Sequence, residues 1–286
     1  MRLLRQLHWL SRLWGGLRLM LALYGPTRFS HGRYLIQSEG HWFLVDPRSF
    51  VDWNLLFCRG YELDAKALFV GMIPHERRRT VLDVGANIGS HSLYFSDHFA
   101  RVVAFEPNKA IFSRLTENVG INPSANVRCD PFGLGSRDEE LTFYAPSPGA
   151  GEVNLGTGSF VAAQAPDVHV TETAQVRAGD RALRELAIDN VDAIKLDVQG
   201  FEVEVLRGLH DTLATNRPSV WIEVSDETRS QIAQAGGLSR LIPFSFRLYR
   251  FHVSYAFGVK HVWQLREYPP DQSDLPIGDW VIAPKP

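Results

Sequence analysis

Cysteine is scarce in this chain of 286 residues, which contains only Cys58 and Cys129. Neither has a partner at the spacing of a metal site or of a redox motif, so the sequence indicates neither class of site. The ten histidines are scattered, and no group of histidine, cysteine and carboxylate residues has metal-ligand spacing. We therefore expect no metal site, and a reduced, cytoplasmic protein.

An excess of charge of either sign is also lacking. The formal net charge is −2 at pH 7, and the isoelectric point of the sequence is about 6.6. Nucleic-acid-binding domains carry a basic patch or stripe, so we expect no nucleic-acid partner. The short basic run at residues 75–79 precedes the first predicted core strand, and we interpret it as a solvated loop.

The first 24 residues lack a hydrophobic run of membrane-spanning length, which would take roughly 18–20 apolar residues. They also lack the small-residue cleavage site of a secretory signal. They contain arginines, leucines and tryptophans but no acid. We interpret the segment as a helix that packs its leucines on the domain. The alternative is a basic amphipathic helix in peripheral contact with the inner membrane surface.

Strand and helix patterns alternate from Thr80 to Val224, which predicts an α/β fold with a parallel sheet. A hydrophobic content of 45% is enough for one sizeable core. Three further strand patterns follow, at Phe246–Phe251, Val262–Leu265 and Trp280–Ile282. Before the sheet, an alternating pattern from Tyr34 to Phe57 predicts a small antiparallel element.

The stretch from Thr80 to Ser90 reads as strand, glycine turn and helix. We expect Gly85 and Gly89 to let the backbone turn tightly and approach a ligand that a Cβ would obstruct. Such a crossover in a doubly wound sheet binds nucleotide-like ligands at the carboxyl ends of its strands. The dinucleotide fingerprint G-x-G-x-x-G is not matched, because Asn87 and Ser90 occupy its second and third glycine positions. This mismatch counts against a nicotinamide oxidoreductase.

Glu106 follows the second predicted strand and stands 21 residues after Gly85, the distance that one helix and one strand require. An acid at the tip of the second strand can accept hydrogen bonds from both hydroxyls of a ribose. The alternative is an ordinary acid at a helix start, where the helix dipole favours it.

Three motifs in order resemble the FkbM family of S-adenosylmethionine (SAM)-dependent methyltransferases. They are Asp83-Val-Gly-Ala-Asn-Ile-Gly89, Phe105-Glu-Pro107 and Ile194-Lys-Leu-Asp-Val-Gln-Gly-Phe-Glu202, within a resemblance that covers roughly Gly60 to Val224. The resemblance implies a Rossmann-like class I methyltransferase fold, with a mostly parallel seven-stranded sheet and an antiparallel C-terminal hairpin. We assign that domain to residues 75–286, and an N-terminal helix and β extension to residues 1–74.

The family implies SAM as methyl donor and, most often, O-methylation of a hydroxyl on a small molecule, glycan or lipid-like acceptor. The resemblance carries a set of cofactor-binding residues onto this chain: Asp83, Gly85, Ala86, Asn87, Gly89, Glu106 and Asp197. For catalysis it points to Asp197 and Glu202. Lys195 joins them as a candidate because it lies on the same strand face as Asp197, two residues back. Asp197 ends a central strand and is our candidate for the base that draws off the hydroxyl proton. The alternative is a buried ion pair of Lys195 with Asp197 or Glu202 that orders the strand end.

One departure from the family pattern is Gln199, which stands where relatives usually have glutamate. Its amide can form hydrogen bonds but can act neither as a base nor as a metal ligand in that residue's place. A competing hypothesis follows: a SAM-binding but catalytically inactive module that binds a partner or a membrane surface.

Three further residues and one segment have two interpretations each. His91 is a base or a core residue, Phe132 covers the adenine or belongs to the core, and Glu223 faces the cleft or pairs with an arginine. Residues 145–166 are rich in Gly, Ala, Pro and Ser. A loop of that length is either a lid over the acceptor or a disordered insertion. The oligomeric state is left open.

Overall fold

The computed structural model describes residues 16–25, 28–29, 32–58, 60–146, 158–162, 169–256, 259–270, 272 and 275–285. The N-terminal elements are α1 (Gly16–Tyr24), β1 (Tyr34–Ser38), β2 (His41–Val45), α2 (Phe50–Phe57) and α3 (Leu63–Gly71). After a 3-10 turn (His75–Arg77) come β3 (Thr80–Val84), α4 (Ser90–Ser96), β4 (Arg101–Phe105), α5 (Lys109–Gly120) and β5 (Val127–Asp130).

The middle of the chain contains β6 (Gly133–Gly135), β7 (Glu139–Pro146), β8 (His169–Ala178), α6 (Gly179–Glu185) and β9 (Val191–Leu196). Helices α7 (Glu202–Gly208) and α8 (His210–Asn216) lead to β10 (Ser219–Val224). The last elements are α9 (Asp226–Gln234), α10 (Leu238–Leu241), β11 (Phe246–Ala256), β12 (Val259–Tyr268) and β13 (Gly278–Pro284).

The main sheet has the strand order β12-β11-β13-β10-β9-β3-β4-β5. From β10 to β5 neighbouring strands are parallel, whereas β13, β11 and β12 add antiparallel pairs. Every residue of β3 and β9 is buried, as expected for central strands of a parallel sheet covered on both faces. The predicted α/β fold with its antiparallel C-terminal hairpin is confirmed. The sheet has eight strands rather than seven, because β12 pairs along β11 and covers what would be a free edge.

A separate sheet of three strands, in the order β6-β8-β7, stands beside the carboxyl ends of the central strands. Strand β7 pairs antiparallel with β8, and β6 pairs parallel with it. The alternation of strand and helix patterns between Thr80 and Val224 gave no signal that these strands form a sheet of their own. The small sheet supplies part of the wall of the cleft described below.

The β1–β2 hairpin is bound to helix α5 by side-chain amides. Asn118 Oδ1 accepts the backbone N–H of Leu44 at 2.8 Å, and Asn122 Oδ1 accepts that of Trp42 at 2.9 Å. Asn122 Nδ2 donates to the Trp42 carbonyl at 2.8 Å. These amides therefore satisfy the outer edge of β2 as a neighbouring strand would. The boundary between residues 74 and 75 stays a prediction.

In the described residues, no helix combines the length and the apolarity needed to cross a bilayer. The predicted basic N-terminal helix falls mostly on residues 1–15, which lie outside the described residues. Helix α1 covers the last residues of that segment, and its Met20 packs against the hairpin core. Membrane contact through this segment stays a prediction.

Candidate active site

The turn after β3 is held against the end of β9. Gly85 has φ +81°, and a Cβ there would lie 1.9 Å from the carbonyl oxygen of Asp197. The N–H of Asp197 donates to the Val84 carbonyl at 3.1 Å, which fixes the two strand ends together. From the sequence, we expected Gly85 to let the backbone turn tightly and approach a ligand. The structure shows that the close approach of another stretch of backbone requires glycine here as well.

Glu106 is brought beside this turn by the backbone, because the N–H groups of Gly85 and Ala86 both donate to the Phe105 carbonyl at 3.0 Å. The Glu106 side chain then accepts two backbone N–H groups, from Asn87 at 3.0 Å and from Asn108 at 2.9 Å. Burial raises the pKa of Glu106 to about 7, although both hydrogen bonds act in the opposite direction.

Each carboxylate oxygen of Glu106 thus uses one backbone donor and keeps further capacity to accept. A carboxylate in this state can take two hydroxyl groups, one on each oxygen.

A cleft of about 610 Å³ opens between these strand ends and the small sheet. Its described lining comprises Val84, Gly85, Asn87, Phe105, Glu106, Pro107, Asn108, Ile111, Gly133, Leu134, Phe143, Gly158, Phe160, Asp197, Val198, Gln199 and Phe201. Phe143, Phe160 and Phe201 form one apolar wall. The ring of Phe160 lies 5.0 Å from that of Phe143 and 5.2 Å from that of Phe201. Such a wall suits a flat aromatic ligand.

Part of the predicted lid borders this cleft. Gly158 and Phe160 line it, and Ser159 Oγ donates to the Gln199 carbonyl at 2.6 Å. Ser159 also pairs with Tyr144 of β7 through two backbone hydrogen bonds. Residues 147–157 and 163–166 of the predicted lid lie outside the described residues.

Four of the residues predicted to bind the cofactor meet in this cleft: Gly85, Asn87, Glu106 and Asp197. The described lining does not include Asp83, Ala86 or Gly89. Ala86 is buried against a small core cluster with Leu115. Gly89 has φ +90° at the start of α4, where a Cβ would lie 2.8 Å from the Leu115 side chain.

Asp83 is fully buried at the end of β3. Its Oδ2 accepts the Ser92 hydroxyl at 2.5 Å, whereas its Oδ1 has no hydrogen-bond partner among the described residues. No backbone N–H across the glycine turn donates to Asp83 among the described residues. A buried carboxylate oxygen without a partner is costly, and contact with a ligand's ammonium through water would satisfy it.

Asp197 stands at the centre of a polar cluster at the ends of β9 and β10. Lys195 Nζ donates to its Oδ2 at 2.9 Å, and Gln199 Nε2 donates to its Oδ1 at 2.8 Å. Gln199 Nε2 also donates to Glu223 Oε2 at 2.9 Å. The Lys195–Asp197 ion pair predicted as the structural alternative is thus present. The Asp197 side chain nevertheless keeps 29% of its surface exposed and lines the cleft.

The two acids of this cluster, Asp197 and Glu223, differ in charge. Burial works to raise the pKa of Asp197, but Lys195 and the surrounding hydrogen bonds outweigh it and lower that pKa below the usual range. Burial likewise works to lower the pKa of Lys195, but the charges of Asp197 and Asp83 raise it overall. The pKa of Glu223 rises to about 10, first because of the negative charge on Asp197 and then because of burial. At neutral pH, Asp197 is therefore an anion and Glu223 a neutral acid.

Glu202 does not join this cluster. It is 1% exposed, and its Oε1 accepts the backbone N–H of Val198 at 2.9 Å. Its Oε2 accepts the N–H of Gly200 at 3.1 Å and the Thr228 hydroxyl at 2.5 Å. The expected catalytic role is not supported by this position, because both oxygens are engaged in ordering the loop between β9 and α7.

The two aromatic residues with open interpretations lie in the core. His91 is 5% exposed and packs against Trp221 with ring centroids 5.2 Å apart. Burial holds its pKa well below the usual value, so its imidazole is neutral. Phe132 packs on Phe105 at 5.5 Å and is not part of the described cleft lining.

Sequence reasoning missed Asn108 and the apolar wall. Asn108 is the N-cap of α5. Its side chain accepts the N–H groups of Ala110 and Ile111, while its own N–H donates to Glu106. An asparagine just before a helical pattern is an N-cap signal that would have identified it. Phe143 and Phe160 had no local signal, because their ring contact joins a strand to a loop.

These features define the class of protein. The fold is a doubly wound sheet whose first two central strands end at a glycine turn and a buried acid, beside an apolar wall, and such a fold binds a nucleoside-containing ligand. The family model of the methyltransferase FkbM domain matches residues 83–260, more than half of the chain. The chain belongs to this family, which confirms the resemblance seen in its motifs. SAM is the cofactor that this membership implies.

Curated relatives share parts of the chain. Similarity to the AMB antimetabolite synthetase AmbE of Pseudomonas aeruginosa is 32% identity over 61% of this chain and 10% of that protein. The hexuronic acid methyltransferase AglP of Haloferax volcanii is 34% identical over 46% of this chain and 50% of its own length. The 2-O-methyltransferase NoeI of Sinorhizobium fredii is 29% identical over 51% and 63%. The chain thus spans less than two thirds of each of these relatives.

Proposed function

We propose that this chain transfers a methyl group from SAM to a hydroxyl of a sugar or another hydroxylated small or lipid-like molecule. The observation that carries the proposal is one cleft in which Glu106 and Asp197 both present carboxylates, at the ends of β4 and β9, the two strands that flank β3. Glu106 is suited to a ribose, and Asp197 to an acceptor hydroxyl. Family membership supports methyl transfer as the reaction.

The chain's residues fit the implied cofactor. The Glu106 oxygens, each held by one backbone N–H, can accept the two ribose hydroxyls. Phe143 and Phe160 offer flat apolar surface for an adenine ring. The buried Asp83 Oδ1, which has no partner among the described residues, is a candidate to face the positive amino group through water.

When bound, SAM supplies a methyl group carried on a positively charged sulfur. The protein's task is to align the acceptor oxygen with that methyl group and to receive the hydroxyl proton. We assign the proton to Asp197, so that the acceptor O–H bond breaks as its O–CH₃ bond forms. The low pKa of Asp197 makes it a weak base. A weak base suffices, because the oxygen becomes strongly acidic as it forms its third bond.

Lys195 holds Asp197 in place at 2.9 Å and keeps it ionised. In this proposal Lys195 has a supporting role, and Glu202 orders the loop rather than taking part in the reaction. Gly158 and Phe160 line the cleft. We propose that residues 158–162 are the described part of a lid that excludes water.

A sugar hydroxyl is the acceptor that the relatives favour. AglP is described as a hexuronic acid methyltransferase and NoeI as a 2-O-methyltransferase. Their sequence identity to this chain extends over about half of its length, so a sugar acceptor for this chain is part of the proposal.

Isothermal titration with SAM tests the cofactor site. We expect the wild type to bind, and Glu106→Ala to bind at least about tenfold more weakly, because two hydrogen bonds to a carboxylate are lost. Glu76→Ala is the matched control. Glu76 is an exposed acid beyond the opposite end of β3, so this variant should bind SAM as the wild type does. A wild type without SAM affinity would contradict the proposal.

Turnover is tested with a panel of sugars, sugar acids and lipid-like alcohols, with mass spectrometry of the products. We expect a methyl ether on at least one acceptor, and loss of most of the rate in Asp197→Asn with SAM affinity retained. Binding of SAM without turnover of any acceptor class would favour the inactive module instead.

A further inference from the structure

The Gln199 side chain is hydrogen-bonded to two acidic side chains, Asp197 and Glu223, of which only Asp197 has a role in the proposed reaction. Its Nε2 lies 2.8 Å from Asp197 Oδ1 and 2.9 Å from Glu223 Oε2. A side-chain amide has two N–H groups on this nitrogen, and both are thus given to carboxyl groups. Backbone pairing sets this geometry, since β9 and β10 are parallel and pair Leu196 with Ile222, one residue before each acid.

The carboxyl groups of Asp197 and Glu223 stand at the ends of paired strands and share the Gln199 amide nitrogen, at 2.8 and 2.9 Å. Two carboxylates that share one site repel each other when both are ionised, so one of the pair favours a bound proton. Lys195 contacts Asp197 and stabilises the negative charge there. Glu223 instead faces another acid, because Asp279 of β13 is its partner in the antiparallel register. The proton therefore resides on Glu223.

We propose that Glu223 is a positioning residue: a neutral carboxylic acid that donates its O–H to Asp197 and, together with Gln199, fixes that carboxylate for the acceptor hydroxyl. The inference rests on the proposed function and adds a residue to the acceptor side of the same site. It also gives the departure at position 199 a physical reason. A glutamate there would add an acceptor-only group between two acids, whereas glutamine supplies two donors.

The surroundings of Glu223 support a bound proton. The charged and titratable groups that act on it are Lys195 and Asp197 at the end of β9, Asp279 of β13, and Tyr61 before α3. Glu62, also before α3, acts in turn on Asp279. Negative charge predominates among them, and the pKa of Glu223 rises to about 10, with the charge of Asp197 as the first cause. The protonated form is therefore complete at neutral pH. It is lost as the pH rises through about 10.

Infrared spectroscopy reads this proton directly, without any turnover. Protonated carboxyl groups absorb apart from carboxylates, so the difference spectrum between the wild type and Glu223→Gln at pH 8 should contain one protonated-carboxyl band lost in the variant. Glu76→Gln, which changes an exposed acid, should lose a carboxylate band instead. Loss of a carboxylate band in Glu223→Gln would overturn the inference.

Kinetics test the positioning role. We expect Glu223→Gln to keep kcat/KM within about threefold of the wild type, because an amide can still donate to Asp197. Glu223→Ala should lose at least about tenfold in kcat with SAM affinity retained. The alkaline fall in wild-type activity near pH 10 should be absent in Glu223→Gln. Equal losses in both variants would overturn the inference.

The two proposals fail separately. A wild type that methylates no acceptor refutes the proposed function, and the infrared band still decides the protonation of Glu223. A wild type that turns over, but whose difference spectrum against Glu223→Gln loses a carboxylate band, refutes the inference alone.

Discussion

Alanine at position 85 tests the closest backbone approach in the site. The new Cβ would lie 1.9 Å from the Asp197 carbonyl oxygen, and the residue would keep φ +81°. A left-handed conformation costs a non-glycine residue about 1–2 kcal/mol. Relieving the clash by backbone displacement adds about 1–3 kcal/mol. We expect Gly85→Ala to lower the free energy of unfolding by about 2–5 kcal/mol, a large share of the roughly 5–15 kcal/mol of a typical domain.

Gly40→Ala is the matched control. Gly40 has φ +86°, but nothing lies within 4 Å of a Cβ built there, so this variant bears the conformational cost alone. Urea unfolding followed by circular dichroism gives both free energies, provided the denaturant slopes agree. The loss in Gly85→Ala should exceed that in Gly40→Ala by about 1–3 kcal/mol. Equal losses would refute the steric argument.

The same substitution should affect function before it unfolds the protein. Relief of the clash must shift either the turn or Asp197, whose N–H is bonded to Val84 at 3.1 Å. We expect methyl transfer by the folded variant to fall, because a displacement of about 1 Å in a positioned group can cost about a hundredfold in rate. Wild-type turnover in folded Gly85→Ala would show that the turn does not set the position of Asp197.

Three further predictions concern the cofactor cleft and the core. SAM affinity should rise by up to about tenfold from pH 6 to pH 8. The reason is that the Glu106 carboxyl, with a pKa of about 7, ionises in that window and becomes the better hydrogen-bond acceptor. Titration calorimetry of Glu106→Gln should show no such change in affinity. Lys66→Met should cost about 3–5 kcal/mol in urea unfolding, because it strands Glu39 in a fully buried pair, and the double variant with Glu39→Gln should recover part of the loss. Phe160→Ala should weaken SAM binding about tenfold and leave the free energy of unfolding nearly unchanged, because the ring lines the cleft and is only partly buried; an unaltered affinity would remove Phe160 from the cofactor wall.

The local sequence pattern was sufficient to predict the central strands of the main sheet. The apolar run before Gly85 and the acid after the next strand predicted two adjacent parallel strands. The structure confirms these strands, and it brings Gly85, Asn87 and Glu106 to one cleft. The physical reason is that consecutive strands joined by one helix bring their carboxyl ends together in a right-handed crossover. Chain spacing therefore translates into spatial proximity for these residues.

Packing between distant segments decided the rest. Whether Glu202 orders a loop or enters the cleft depends on Thr228, and the charge on Glu223 depends on Asp197 and Asp279. The addition of β12 to the main sheet and the formation of the small three-stranded sheet likewise depend on which strand edges pair with each other. The sequence by itself determined which groups could bind a nucleoside and accept a proton, because periodicity and turn chemistry act locally. Only the tertiary structure decided which of those groups are charged and which meet, because burial and electrostatic interaction depend on neighbours that the chain brings together from far apart.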